Sequence, residues 1–304
     1  MTRTDNRRRL KAPRAGAAGG RIIPMTDAPA QKGLLRVEAA SFYGDRARIE
    51  EDVLVIVEEP LEVRVNGTPY AVLMRTPGSE IELAVGFCLT EGIVDSFEEI
   101  ESVGFCPDAA MGAENVVNVL AKPVAGRGGG PIDLPSRSRV ANTSCGVCGV
   151  RTIDDLETRL TRLPPGCTVP ADTIIELQYI MSDRQTLSRL TTGTHAAALS
   201  GIDGRLHVVM EDVGRHNALD KVIGYAMLHA IDLTSCVALL SGRISFEMVQ
   251  KAVRAHIPVV AAISAATSLA VNLAQRFDCT LVGRLRGRSM TVYTCPERIT
   301  PPRA

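Results

Sequence analysis

The 304-residue chain has no tryptophan, and aromatic residues make up only 4% of it. A single-strand nucleic-acid binder that stacks bases on aromatic rings is therefore disfavoured. Charge of either sign is not in excess: 34 Lys+Arg offset 34 Asp+Glu. A globally basic nucleic-acid partner surface is disfavoured with it. Cysteine is sparse, with 8 in the whole chain, too few for a disulfide scaffold. Long apolar runs are missing. The most apolar window, 257–274, is interrupted by Pro258, Ser264, Thr267, Ser268 and Asn272. A span needs about 20 mostly apolar residues, so no membrane segment is expected. Neither a Walker phosphate loop nor Gly-x-Gly-x-x-Gly occurs, which disfavours an ordinary NTPase or dinucleotide-binding dehydrogenase. What is present is a 45% hydrophobic content, enough for a full core in one large domain or two modest ones. A cytoplasmic protein with reduced thiols is the expectation.

Four stretches divide the chain. Residues 1–34 are basic, with Asp5 and Asp27 as the only acids, and read as a disordered tail. Arg7-Arg8-Arg9 lacks the apolar run that an export signal requires, and Met25 offers an alternative start. Residues 35–139 are β-rich: strands over 53–57, 61–65, 70–74 and 115–120, with an Asn66-Gly67 turn. Ser79-Glu80-Ile81-Glu82 has the form of a capping box and opens a helix to about Gly92. Residues 122–139 are Pro-, Gly- and Arg-rich, a linker into 140–170, which holds a mobile Cys-x-x-Cys loop and a helix capped by Thr152. Residues 171–304 alternate helix and strand: a helix over 173–190, strands over 195–200 and 206–211, then 217–230, 236–240, 246–256, 259–263, 268–277, 280–282 and 290–294. The fold class is α/β, a layered sheet with helices on its faces.

Cys145-Gly146-Val147-Cys148 is the only close thiol pair. It can ligate metal, cycle as a disulfide or relay sulfane sulfur, and all three require accessible thiolate. A closed zinc site needs four ligands, which a single pair supplies only across a dimer. Thr194 and His195 end a Thr/Gly run. Asp212, Gly214, Arg215, His216 and Asn217 crowd a strand-to-helix turn, where Gly214 permits a sharp bend and free N–H groups favour anions. Ser241-Gly242-Arg243 follows another strand, and Ser264 a third. Gly283-Arg284-Leu285-Arg286-Gly287-Arg288 follows a fourth, with arginines able to clamp phosphates. Glu247 and Lys251, four apart, read as surface helix support. His229 and His256 close helices and His207 lies in a strand, so only His195 and His216 sit in polar motifs. The lack of His-x-Glu, and of Pro before Cys145, opposes a zinc nucleoside deaminase. The last four motifs share one position, the carboxyl ends of strands, where open α/β sheets bind ligands. Hydroxyls, small residues and Arg there suit a phosphate-bearing, nucleotide-like ligand.

Over about 35–299 the sequence resembles the FdhD formate dehydrogenase accessory sulfurtransferases. The likeness rests on Met74-Arg75-Thr76-Pro77-Gly78 with Glu82 to Phe87, on the Cys145/Cys148 loop and on Gly193 to Ala197. Glu211 to Ala218 through Lys221, Ser241-Gly242-Arg243, Val292-Tyr293-Thr294 and Arg298-Ile299 complete it. Two positions depart from the family pattern: Ala266 stands where Pro usually follows Ser-Ala, and Arg284 where an aromatic usually follows Gly. The resemblance implies a cytidine-deaminase-like fold and a homodimer. It also implies a relay of sulfur from a cysteine desulfurase to the molybdenum bis-guanine-dinucleotide cofactor, before that cofactor enters formate dehydrogenase. Cys145 then accepts the sulfur and Cys148 relays it or resolves the persulfide. The strand-end motifs hold the cofactor as cargo. No nucleic acid, membrane or tightly bound metal is expected. The competing classes are a cofactor-binding chaperone without sulfur chemistry and a dithiol–disulfide oxidoreductase.

Overall fold

The computed structural model describes residues 22–23, 33–42, 44, 48–107, 112, 114–122, 140–141 and 160–301. The Cys145 and Cys148 loop, the 123–139 linker and the Thr152 cap lie outside them. Strands β1 (Leu34–Ser41) and β2 (Ile49–Ile56) pair antiparallel over their full length. β3 (Glu59–Val65) and β4 (Thr68–Arg75) form a hairpin around Asn66-Gly67, as the turn signal predicts. With β5 (Ile100–Phe105), β6 (Val116–Ala121) and the short strand Val140–Ala141 they make a five-stranded sheet.

Helix α1 (Glu80–Thr90) lies against this sheet and is buried nearly all round. Its start differs from the expected capping box. Ser79 sits in the left-handed region at φ 59° and makes no cap bond. Its Oγ instead donates to Met210 Sδ, and the Glu80 carboxylate takes the Gly78 N–H at 2.7 Å.

The C-terminal region opens with α2 (Ala171–Arg184) and α3 (Thr186–Thr191), a break at Gln185 splitting the single helix expected over 173–190. Then come β7 (His195–Gly201), β8 (Leu206–Asp212), α4 (Arg215–Leu228) and β9 (Cys236–Leu240). They are followed by α5 (Phe246–Arg254), β10 (Val259–Ala262), α6 (Ser268–Arg276), β11 (Thr280–Arg286) and β12 (Ser289–Val292). The six-stranded sheet runs in the order β8-β7-β9-β10-β11-β12. β9, β10 and β11 are parallel; β7 is antiparallel to both neighbours, so β8 points the same way as β9.

The central strands β7, β9 and β10 are buried on both faces, which explains their near-continuous apolar runs. Val237 and Leu239 join Ile174, Leu177 and Met181 of α2 on one side. Ala238 and Leu240 join Leu219, Val222 and Val249 on the other, in a core that continues to α1 and the five-stranded sheet. α1 and α4 cross at two glycines. A Cβ on Gly86 would sit 1.9 Å from the Asp220 carbonyl oxygen, and one on Gly224 1.9 Å from that of Glu82. Only glycine allows so close a crossing.

Candidate functional site

Because β8, β9, β10 and β11 point the same way, their carboxyl ends fall along one sheet edge. His195, the first residue of antiparallel β7, falls there too, opposite Asp212. The loops at this edge are stitched to one another. Ser241 N donates to Ala196 O at 3.0 Å, and Ser241 Oγ accepts from Ala196 N at 2.8 Å. Ile244 N bonds Ala265 O, Thr267 N bonds Ile244 O, and Arg284 N bonds Ser264 O at 2.9 Å.

Gly242 makes room for two neighbours. A Cβ there would stand 3.3 Å from His195 Nδ1 and 3.8 Å from Arg215 Cδ. Burial, and then the nearby Arg215 guanidinium, hold the His195 pKa below its ordinary value, with Asp212 opposing. Both effects favour the neutral form of the imidazole beside Arg215. Further along the edge, an open cleft of about 580 Å³ lies between Ser264, Ala265, Arg284, Arg286, Ser289 and Met290. Gly283 has no space for a side chain, since Ser264 O and the Tyr293 ring stand 2.9 Å from where its Cβ would be. Arg284 holds φ 55°, a left-handed conformation unusual for a residue with a side chain, at a bulge in the β11–β12 pairing. Arg243, Arg284 and Arg286 are exposed, and no described residue forms an ion pair with any of them.

Other residues expected at the site do different work. Asp212 is fully buried and accepts from Lys221 Nζ at 2.7 Å, Gly214 N at 2.9 Å, Asn217 Nδ2 at 2.9 Å and Thr76 N at 3.2 Å. Asn217 Nδ2 also donates to Met74 O, Lys221 Nζ to Thr76 O, and Val213 N to Thr76 Oγ1. Asp212 and Asn217 thus fasten the end of β4 to the end of β8 rather than facing a ligand. His216 is buried behind them. Gly214, expected to allow a sharp bend, has φ −100°, open to any residue. What it supplies is space, with Asn217 Nδ2 3.2 Å from its would-be Cβ.

Leu285 turns into the core below α2, Gly287 forms the hairpin turn at φ 57°, and Arg288 pairs with Asp172 at 3.4 Å. Strand β11 runs on through Arg286, so this arginine run is partly strand rather than loop. Thr194 points its hydroxyl to Glu211 at 2.9 Å. Lys251 does not pair with Glu247 on the surface. It is buried between α1, α4 and α5, 2.8 Å from Asp220 and from Thr90 Oγ1. The long-range joints carry no local sign in the sequence: Thr76 and Asp212 lie 136 positions apart, Met74 and Asn217 143, and Lys251 and Asp220 stand on different helices.

Burial pushes the Cys88 thiol up, and those of Cys236 and Cys279 to about 12. These three remain protonated, poor nucleophiles at neutral pH. Among the described residues, no group of His, Cys, Asp and Glu is arranged to hold a metal ion, and no helix is long and apolar enough to cross a membrane.

The profile of the FdhD/NarQ family matches residues 56–300. The chain belongs to the FdhD/NarQ family. A relative in Mycobacterium tuberculosis, named sulfur carrier protein FdhD, is 48% identical over 255 residues, 80% of this chain and 91% of its own. One of the same name in Thermoplasma acidophilum is 34% identical over 287 residues, 93% of this chain and 99% of its own. A crystal structure described as that of a formate dehydrogenase accessory protein from Desulfotalea psychrophila superposes with a TM-score of 0.71 at 26% identity. It covers 88% of this chain and 100% of that one.

Proposed function

We propose that this protein is a sulfur carrier. It takes persulfide sulfur from a cysteine desulfurase and delivers it to the molybdenum bis-guanine-dinucleotide cofactor destined for formate dehydrogenase. The observation that carries the reading is the single sheet edge where His195, Arg215, Gly242, Arg243, Ser264 and Arg284 assemble. Unpaired guanidinium groups and small-residue loops suit the pyrophosphates of a dinucleotide cargo. The names of the relatives support sulfur carriage. The high pKa of the three buried thiols argues against their taking part in the chemistry.

In this reading the Cys145 thiolate attacks the outer sulfur of the desulfurase persulfide. The S–S bond breaks, the desulfurase cysteine leaves as thiolate, and Cys145 holds the new persulfide. Cys148 then takes the outer sulfur by the same exchange, or attacks the inner sulfur and releases hydrosulfide as a disulfide closes. The edge holds the cargo for delivery, in the cytoplasm and in a homodimer.

The test is intact mass after incubation with a cysteine desulfurase and cysteine, without reductant, for the wild type, Cys145→Ala and Cys148→Ala. A gain of one sulfur atom, lost in Cys145→Ala and reversed by reductant, is expected. No gain in any form would leave a cofactor-binding chaperone.

A further inference from the structure

We propose that Glu211 is a positioning residue for the sheet edge: its carboxylate fixes both ends of the Thr186–His195 segment and thereby sets His195 against Gly242 and Arg215. Helix α3 has only six residues, and Gln185 before it makes no side-chain cap. Such a helix leaves its first N–H groups without partners. Glu211, on β8, supplies them from a distance. Its Oε2 accepts from Leu187 N at 2.9 Å and its Oε1 from Ser188 N at 2.7 Å, with Thr186 Oγ1 at 3.5 Å.

The same Oε1 accepts from Thr194 Oγ1 at 2.9 Å, beyond the other end of the helix. The turn between these anchors is closed by its own bonds: Thr192 N to Ser188 O, Thr191 Oγ1 to Leu187 O, and Gly193 N to Thr191 Oγ1. A carboxylate that only capped α3 would have no need of Thr194. Because it also binds Thr194, it fixes the residue directly before His195. Charge assistance makes these acceptor bonds stronger than their neutral counterparts.

The consequence is read at the His195 ring. The charged groups acting on it are Arg215 from α4 and Asp212 from β8, with Gly242 against its Nδ1. Held there, the neutral imidazole offers one donor and one acceptor nitrogen beside a guanidinium. Its service to a ligand rests on the function proposed above; its placement by Glu211 does not.

The experiment is a ¹⁵N NMR pH titration of the histidines in the ligand-free full chain, with thermal melts. Wild type, Glu211→Gln and Thr194→Val are compared, and His195→Gln assigns the signal. In wild type, His195 is expected to titrate below the ordinary value of about 6.5. Glu211→Gln should move it up toward that value. Thr194→Val, which leaves the α3 amides capped, should move it in the same direction with a smaller change in melting temperature. A lowered melting temperature with an unmoved His195 titration in Glu211→Gln, or no shift in Thr194→Val, would overturn the proposal. Thr194→Val decides alone if Glu211→Gln does not fold. Loss of sulfur relay with the expected titration would count against the functional reading and not against this one.

Discussion

Asp212 and Arg215 stand three residues apart in one motif and end in opposite circumstances. Asp212 is fully buried, with four donors converging on its two oxygens. Arg215 lies beside His195 and Gly242 at the edge of the sheet, and its Nε, though buried, has no partner among the described residues. The first belongs to a joint that ties the β4 end to the β8 end; the second to a surface still able to take a ligand. Polar residue types alone do not separate them. What does is whether their hydrogen-bonding capacity is already spent inside the chain.

Beyond this joint the two regions meet again where α1 crosses α4, and there the most damaging substitutions are the smallest ones. Gly224→Ala or Gly86→Ala puts a methyl group 1.9 Å from a backbone carbonyl oxygen on the facing helix. Backbone cannot swing aside as a flexible side chain would. A loss of about 3 kcal/mol or more in urea unfolding is expected. The shift should also disturb Asp220–Lys251 and Thr90, which bond within the same crossing. A loss below about 1 kcal/mol would mean that the two helices are not held together as closely as the crossing implies.

The next pair tests the division directly. Asp212→Ala strands the Lys221 ammonium in the interior and should cost about 3–5 kcal/mol of stability. Arg243→Ala removes an exposed side chain with no described ion pair, so stability should change by less than about 0.5 kcal/mol. Its effect should fall on binding. A charge-assisted bond to phosphate contributes about 1.5–3 kcal/mol, so affinity for guanosine diphosphate by calorimetry should drop roughly tenfold or more. Equal stability losses in the two variants would erase the distinction between joint and edge.

The edge was legible in the sequence because its cause is local. Each strand is a short apolar run, each loop begins with small or hydroxyl residues, and a parallel arrangement places the loops together without further information. The N-terminal hairpin was legible from Asn66-Gly67 for the same reason. The joint was not legible, since Thr76, Asp212 and Lys221 meet only after both sheets exist. Lys251 shows how a local rule misleads: Glu247 four residues earlier suggests a surface pair, while burial between three helices gives Lys251 to Asp220. Strand β1 and strand β5 also escaped notice, because neither carries a dense β-branched run.

Ser79 gives the smallest effect and the sharpest check on that lesson. Read from Ser79 to Glu82, the helix start is a capping box, and loss of such a cap costs about 1 kcal/mol. In the structure Ser79 has φ 59° and its hydroxyl reaches Met210 Sδ instead of a helix amide. Glu80 takes over the work at this turn, binding Gly78 N and standing 3.2 Å from Arg75. Ser79→Ala should therefore change stability by less than about 0.5 kcal/mol. Ser79→Gly should raise it by about 1 kcal/mol, because glycine adopts the left-handed region without steric penalty. A loss of about 1 kcal/mol in Ser79→Ala would restore the capping box. It would also turn this end of the joint into one that sequence alone describes, since the tie through Glu80 and Arg75 would then be secondary to the Ser79 cap.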